Sequence, residues 1–157
     1  MIRTTAAKRV GSAPTAVPST GLRITNSITD AQALDLVRLY QSEWWTKGRR
    51  EADVRQMLQH CDLIVAICDE ASERLVAFAR VLTDFVYKAL IFDVIVGADC
   101  RSQGLGKTLM NSIVNHPALR SVRHLELYCR PEMAPFYERW GFTADLGKLE
   151  LMRLTRS

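Results

Sequence analysis

The segment from Arg101 to Thr108 contains the residue types whose spacing most clearly indicates chemistry. It reads Arg-Ser-Gln-Gly-Leu-Gly-Lys-Thr and follows an apolar run from Leu90 to Val96. A glycine-containing turn between a strand and a helix leaves backbone N–H groups unpaired at the positive end of the helix dipole. Because glycine lets the main chain approach an anion closely, this turn is suited to a phosphate group. The alternative is that the glycines serve only the strand-to-helix connection.

Two well-known phosphate-binding motifs do not fit this segment. The Gly-Lys-Thr at 106–108 matches the end of a P-loop, but Arg101 stands where that motif requires its first glycine. The dinucleotide-binding motif, read from Gly104, requires glycine or alanine at the position of Leu109. Each mismatch falls where a small residue is needed for steric reasons. The segment is therefore not predicted to be either of these two motifs.

Three carboxylates interrupt or end apolar segments and are candidates for proton transfer. Asp93 lies within the run 90–96, Glu126 stands between two leucines, and Asp84 lies near a predicted strand end. A carboxylate in such a place must be paired, hydrated or functional, because burying it without a partner is costly. Each could accept a proton, directly or through water, or hold a cationic substrate. Each could equally be a solvent-facing residue of its strand.

The hydrophobic periodicity predicts an α/β domain that positions these segments. Short apolar runs bounded by turn residues predict strands, and apolar residues spaced three or four positions apart predict helices. Strand, helix and strand between residues 90 and 129 predict a βαβ unit with two parallel strands. The predicted strands are 22–25, 63–68, 75–82, 90–96, 125–129 and 149–154, and the predicted helices are 30–42, 51–60, 104–116 and a short one at Pro135. This order predicts a mixed sheet with helices on both faces.

Length and composition predict one folded domain. The chain has 157 residues, of which 48% are hydrophobic and 24% are charged, as in an ordinary globular protein. Residues 1–21 are rich in Pro, Gly, Ser and Thr and lack a long apolar stretch. They are predicted to be a flexible tail, with an amphipathic targeting peptide as the alternative. Residues 22–157 are predicted to form the domain.

Net charge and the pattern of cysteines limit the classes of partner and the cellular compartment that the sequence predicts. The net charge of +4 suits an anionic ligand, but without a dense Lys/Arg run no nucleic-acid partner is predicted. No segment has the roughly 18 apolar residues needed to span a membrane, so no membrane partner is predicted. The four cysteines form no Cys-x-x-Cys pair and the histidines are scattered, so no metal is predicted. Unpatterned cysteines favour reduced thiols and a cytoplasmic location.

Two motifs in this order resemble the GNAT superfamily of N-acetyltransferases, over roughly residue 22 to the C-terminus. The first is the acetyl-CoA loop of that superfamily, Gln/Arg-x-x-Gly-x-Gly/Ala, which residues 101–106 match directly after the strand 94–96. The second is Phe-Tyr-Glu-Arg-Trp-Gly-Phe at 136–142, which is similar to the family's Phe-Tyr-Glu-x-x-Gly-Phe. The resemblance implies a central mixed, twisted sheet with two splayed parallel strands and helices on both faces.

The resemblance implies acetyl-CoA as a cosubstrate and no metal. The pantetheine arm would pair with the exposed edge of the strand before the loop, and the loop amides would hold the pyrophosphate. Lys107 would approach a CoA phosphate as a point charge, or it is a solvated lysine on the helix surface. The implied cofactor-binding residues are Val94, Ile95, Val96, Arg101, Ser102, Gln103, Gly104, Leu105, Gly106, Lys107 and Thr108.

The resemblance also implies the reaction, which is transfer of the acetyl group to a primary amine of a small molecule or peptide. The amine would attack directly in a ternary complex. Tyr137 occupies the family position of the general acid, with simple packing of its ring as the alternative. Asp93 ranks first and Glu126 second as general base, and some members use only water chains. An alternative hypothesis for the function is a non-catalytic acyl-CoA sensor on the same fold.

In this superfamily the first two helices and their connection usually bind the acceptor. Here the connection contains Trp44, Trp45 and Arg49. The rings could line a pocket and the guanidinium could bind a carboxylate or phosphate, and Asp84 is a further candidate for acceptor binding. The alternative is a Trp that covers the core beside solvated charges. No motif identifies the acceptor, so aminoglycoside, polyamine, amino acid and protein N-terminus stay open, as does a homodimer, which is common in the family.

Overall fold

A computed structural model describes residues 21–156, which divide into two compact units, residues 21–127 and residues 128–156. The predicted N-terminal tail lies outside the described residues, apart from Gly21. The assignment of residues 22–157 to one domain stays a prediction. Within residues 21–156, no helix has the length and apolar character needed to cross a bilayer.

The first unit contains five strands and three α-helices, close to the predicted bounds. Strand β4 begins two residues before the predicted start, and β5 is shorter than predicted. The strands are β1 (Leu22–Thr25), β2 (Leu63–Asp69), β3 (Leu75–Thr83), β4 (Lys88–Val96) and β5 (His124–Leu127). The helices are α1 (Asp30–Gln41), α2 (Glu51–Gln59) and α3 (Leu105–Val114).

Local sequence signals explain where α1 begins and where α3 ends. The Thr29 side chain accepts a hydrogen bond from the Gln32 amide, and the Gln32 side chain accepts one from the Thr29 amide. This reciprocal capping box satisfies two amides that would otherwise lack partners. Helix α3 ends at Val114, three residues before Pro117, in agreement with the position where proline disfavours further helix.

The five strands form one sheet in the order β1-β2-β3-β4-β5. Neighbouring strands are antiparallel except for β4 and β5, which are parallel and are connected through α3. A parallel pair needs a crossover connection, and α3 supplies it. The mixed sheet and the predicted βαβ unit are therefore confirmed.

Helices cover both faces of the sheet, as predicted. The apolar sides of α1 and α2 pack over one face, in a buried cluster made of Ala33, Leu36, Tyr40, Val54, Leu58, Ala66, Cys68, Leu75, Phe78 and Ile95. Helix α3 packs against β2, β3 and β4, and its buried residues do not belong to that cluster. Because side chains alternate between the faces of a strand, α3 covers the opposite face.

Strand β4 contains an irregularity at Asp93. Phe78 pairs with Ile95 and Arg80 pairs with Phe92, so the single residue Ala79 stands opposite two residues of β4. Asp93 has a positive φ of 55°, a left-handed conformation that Asp adopts more readily than most residues. This arrangement is a β-bulge, a feature that often lies next to active sites and redirects a side chain.

The second unit is a short region with little regular structure. It contains helix α4 (Ala134–Tyr137), with Pro135 in the first turn, followed by a 3-10 turn that ends at Gly141 with φ 84°. The predicted strand 149–154 is wrong, because this segment has no regular secondary structure and its residues are exposed. An apolar run becomes a strand only when another strand pairs with its backbone, and residues 128–156 contain none.

Candidate active site

The loop before α3 has the backbone conformation of an anion-binding turn. Ser102 and Gly104 have positive φ angles of 64° and 77°. Gly104 is the N-cap of α3 and provides no side-chain hydrogen bond to the helix. The first hydrogen bond of the helix runs from the Thr108 amide to the Gly104 carbonyl. Within residues 21–156, the amides of residues 102–107 donate no hydrogen bond, so these donors are available to a phosphate.

The side chains of the loop have separate tasks. Leu105 is buried in the core, so its side chain anchors the start of the helix. Lys107 is exposed. The Thr108 hydroxyl donates to the Gly104 carbonyl at 3.3 Å. Arg101 forms an ion pair with Glu43 and reaches the Val96 carbonyl at 3.4 Å. The loop is thereby attached to the connection between α1 and α2.

The edge of β4 facing β5 is paired over only part of its length. The parallel register with β5 runs from Lys88 to Ile91, while β4 continues to Val96. Within residues 21–127, Val94 to Val96 therefore have no strand on that side. Ile95 is buried and its neighbours Val94 and Val96 are half-buried. An unpaired strand edge can bind an extended amide chain as another strand would.

The bulge places Asp93 in a cluster of four side chains on the face covered by α1 and α2. Arg49 donates two hydrogen bonds to its carboxylate, at 3.0 and 3.1 Å. Arg80 donates through Nε at 2.7 Å and the Tyr40 hydroxyl donates at 2.8 Å. The Arg49 guanidinium also lies 4.5 Å from the centre of the Tyr40 ring. We call Tyr40, Arg49, Arg80 and Asp93 the Asp93 cluster.

The Asp93 cluster keeps its carboxylate ionised. Burial by itself raises the pKa of the Asp93 carboxyl, but hydrogen bonds from Arg49 and Arg80, together with their charges, outweigh burial and hold that pKa below its ordinary range. Burial and the neighbouring carboxylate raise the pKa of Tyr40, so its phenol stays protonated. A general base needs a pKa near the working pH and a free lone pair. These surroundings favour a positioning role for Asp93 over proton transfer.

The other two carboxylates are also committed to partners. Glu126 lies on β5 opposite Leu90 and forms an ion pair with Lys88. Asp84 lies in the turn between β3 and β4, where its Oδ1 accepts from the amides of residues 86, 87 and 88 at 2.7 to 3.0 Å. Those amide hydrogen bonds, led by that of Lys88, lower the pKa of Asp84.

The structure does not bring Asp84 to the Asp93 cluster or to the loop. Asp84 precedes the first residue of β4, whereas the loop follows the last one. With a rise of about 3.3 Å per strand residue, the two ends of β4 are roughly 25 Å apart. The assignment of acceptor binding to Asp84 therefore has no support from its position. The base role of Glu126 stays a prediction.

The connection between α1 and α2 carries two exposed tryptophans, Trp44 and Trp45. Between them and Arg49, the buried Thr46 donates its hydroxyl hydrogen to the Tyr40 carbonyl at 2.8 Å. Arg49 then reaches Asp93 across 44 positions of the sequence. The connection is thus fixed at Thr46 and at Arg49, while the two rings stay accessible, as an acceptor-binding segment requires.

Tyr137 lies in α4 of the second unit. It is 8% exposed, and its ring packs edge-on against Phe136 and Phe142 at centroid distances of 4.9 and 6.3 Å. Burial, with a smaller contribution from Cys129, raises the pKa of Tyr137 to about 12. The phenol is therefore protonated at neutral pH, which is the state that a general acid requires. Its assignment as general acid stays a prediction.

Sequence reasoning missed three residues that hold this region together. Arg80 is a charged residue within the apolar strand β3, and the argument that singled out Asp93 applies to it equally. Tyr40 lies within the predicted helix 30–42, and the periodicity that predicts the helix carries no information on its hydroxyl contact with Asp93. Glu43 stands beside the two tryptophans without any pattern that connects it to Arg101.

Among residues 21–156, no group of three or more His, Cys, Asp or Glu side chains is arranged to hold a metal ion. The four cysteines are free thiols, two of them buried.

Comparison with known proteins gives one family. The sequence model of the Acetyltransferase (GNAT) family matches residues 31–142. GCN5-related N-acetyltransferase 1, chloroplastic, of Arabidopsis thaliana is 35% identical over 97 residues, covering 62% of this chain and 49% of that protein. Serotonin N-acetyltransferase 2, chloroplastic, of Oryza sativa subsp. japonica is 35% identical over 112 residues, covering 69% of this chain and 56% of that protein. The chain thus spans about half the length of these two relatives.

A solved structure extends the similarity to the fold. A GNAT-family protein from Xanthomonas campestris pv. campestris has a TM-score of 0.75 and 29% identity, over 86% of this chain and 93% of that one. The chain therefore shares the fold of that GNAT-family protein over most of its length.

Proposed function

The chain belongs to the GNAT acetyltransferase family, and from that premise we propose that it transfers the acetyl group of acetyl-CoA to a primary amine. The acceptor is a small molecule or a peptide, and its amine attacks directly in a ternary complex. The observation that carries this proposal is the set of unpaired amides at residues 102–107, at the N-terminus of α3. Their geometry fits the pyrophosphate of acetyl-CoA.

The chain's own residues have distinct parts in binding. The amides of residues 102–107 hold the pyrophosphate, and Ser102 and Gly104 have the positive φ angles that occur in anion-binding turns. The edge of β4 from Val94 to Val96 pairs with the pantetheine amides. Acetyl-CoA itself supplies the activated thioester. The bulge at Asp93 directly precedes that edge, so it sets the direction of the main-chain donors next to the thioester.

The proton transfers follow from the state of the titratable groups. Asp93 is ionised and accepts four hydrogen bonds from Tyr40, Arg49 and Arg80, so we assign it to positioning. The acceptor amine then loses its proton through water, the route that the resemblance allows for members without a dedicated base. Tyr137, protonated because its pKa is raised to about 12, serves as the proton donor to the departing thiolate.

Release of free thiol from acetyl-CoA tests this proposal. Purified protein is incubated with acetyl-CoA and a panel of primary amines, and thiol release is compared with and without amine. We expect amine-dependent release and an acetylated product by mass spectrometry. Calorimetry with CoA is run in parallel. Tight CoA binding without any amine-dependent release favours the acyl-CoA sensor, and absence of CoA binding refutes both functions.

Location and assembly are part of the proposal. We keep the cytoplasm as the proposed compartment, since four free thiols suit a reducing environment. The two plant relatives are named chloroplastic, which makes the plastid the alternative. We also propose that the protein acts without metal, nucleic acid or membrane, and that a homodimer is its assembly. Light scattering of the purified protein tests the last point.

A further inference from the structure

The Asp93 cluster contains more positive than negative charge. Two guanidinium groups, of Arg49 and Arg80, face one carboxylate, and Tyr40 is neutral. Arginine does not lose its proton in proteins. The Arg49 and Arg80 side chains are 31% and 12% exposed, and that of Asp93 is 3% exposed. A surplus charge in a partly desolvated place is costly unless a counter-charge joins it.

Arg49 is the member of this cluster that a ligand can reach. Its side chain is the most exposed of the three charged ones. Of its five N–H donors, two bind Asp93 and one faces the Met57 sulfur at 4.0 Å. The remaining donors keep the planar geometry that suits a carboxylate or phosphate. The carboxylate of Asp93 fixes the guanidinium in place, so little side-chain entropy remains to be lost on binding.

The neighbouring residues of the connection do not neutralise the surplus. Glu43, the acidic residue of the connection between α1 and α2, is paired with Arg101. Lys47 is exposed and forms no ion pair within residues 21–156. Arg50 is paired with Asp53. The connection next to the exposed Trp44 and Trp45 is therefore positively charged, which repels a polyamine or a lysine-rich peptide and attracts an anionic molecule.

We infer that the acceptor carries an anionic group besides its primary amine, and that Arg49 binds this group. This inference rests on the proposed function and names the acceptor class within it: an amino acid, an acidic peptide or a similar amine. Arg49 thus has two tasks, since one side of its guanidinium fixes the bulge through Asp93 and the other selects the acceptor.

A matched set of amines tests the inference on the wild-type chain. Thiol release is measured with 6-aminohexanoate, hexylamine and 1,6-diaminohexane, and with 4-aminobutanoate, butylamine and 1,4-diaminobutane. Tryptophan and tryptamine form an aromatic pair. We expect kcat/KM to be about 10-fold to 100-fold higher for the best carboxylate-bearing amine than for its uncharged counterpart, and lowest for the diamines. Equal or reversed preference overturns the inference while the acetyltransferase proposal stands. Release with none of the amines overturns both.

Variants show whether Arg49 is responsible. Arg49→Met leaves Asp93 paired with Arg80 and removes the surplus charge, so the carboxylate preference should fall to about threefold or less, mainly through KM. Arg49→Lys keeps the charge and should keep the direction of the preference. Arg38→Met, which removes an exposed arginine paired with Asp35 on α1, is the control. A preference unchanged in Arg49→Met, or a CoA affinity that falls tenfold without a change in preference, overturns the assignment.

Discussion

Replacing Asp93 by Asn removes the only negative charge of the Asp93 cluster and leaves Arg49 and Arg80 facing each other. The Asp93 side chain is 3% exposed and accepts four hydrogen bonds, of 2.7 to 3.1 Å. Removing one partner of a buried ion pair typically costs about 3 to 5 kcal/mol. For a domain of this size that corresponds to a Tm lowered by roughly 6 to 20 °C.

Urea and thermal unfolding of Asp93→Asn and wild type measure this effect, with Asp53→Asn as the matched control. Asp53 is also paired with an arginine, but on the surface, so its replacement should leave Tm almost unchanged. The difference between wild type and Asp93→Asn should depend on pH. Because the folded pKa of Asp93 is lowered, its contribution is complete above the unfolded value of about 3.9 and is lost as pH falls through the folded pKa.

A second substitution separates ion-pair loss from other damage. Adding Arg49→Met to Asp93→Asn removes one of the two unpaired cations, so the double variant should be more stable than the sum of the single effects, by about 0.5 to 3 kcal/mol. The free energy of unfolding of Asp93→Asn could instead lie within about 1 kcal/mol of the wild-type value, or the two single effects could simply add. Either result would show that the charges of the Asp93 cluster do not hold the bulge in place.

Three further substitutions test the loop, the phenol and the contact between loop and connection. Gly104→Val should weaken CoA binding, measured by calorimetry, at least tenfold. A Cβ at Gly104 would meet no atom within 4 Å, but a valine is strained at the φ of 77° found there. Gly147→Val is the control, because Gly147 has a φ of 68° but lies outside the loop, and its CoA binding should be unchanged. Tyr137→Phe should lower kcat about 100-fold with unchanged CoA affinity, and wild-type kcat should show no loss from phenol ionisation up to about pH 11, since the pKa is raised to about 12; an unaltered kcat rules out the acid. Glu43→Gln, which releases Arg101, should raise the KM for acetyl-CoA about two- to fivefold, and an unchanged KM would show that the ion pair does not support the loop.

The sequence predicted much of the fold because its signals are local. Helix α1 is specified by a capping box within four residues, and β2 and β3 by near-continuous apolar runs on either side of a polar turn. The strand 149–154 fails for the converse reason. Its apolar residues match the pattern, but a strand also requires a partner, and no pattern within the segment reports whether one is present.

The amino-acid sequence by itself determined the loop at residues 101–108, because the steric freedom of glycine and the unpaired amides of a helix start belong to a single short segment. Only the tertiary structure decided the chemistry of Asp93. Its partners Tyr40, Arg49 and Arg80 are 53, 44 and 13 positions away, and they meet because the bulge and the packing of α1 on the sheet bring them together. The ionisation of a carboxylate depends on the charges and donors within a few ångströms, which folding sets and residue order does not.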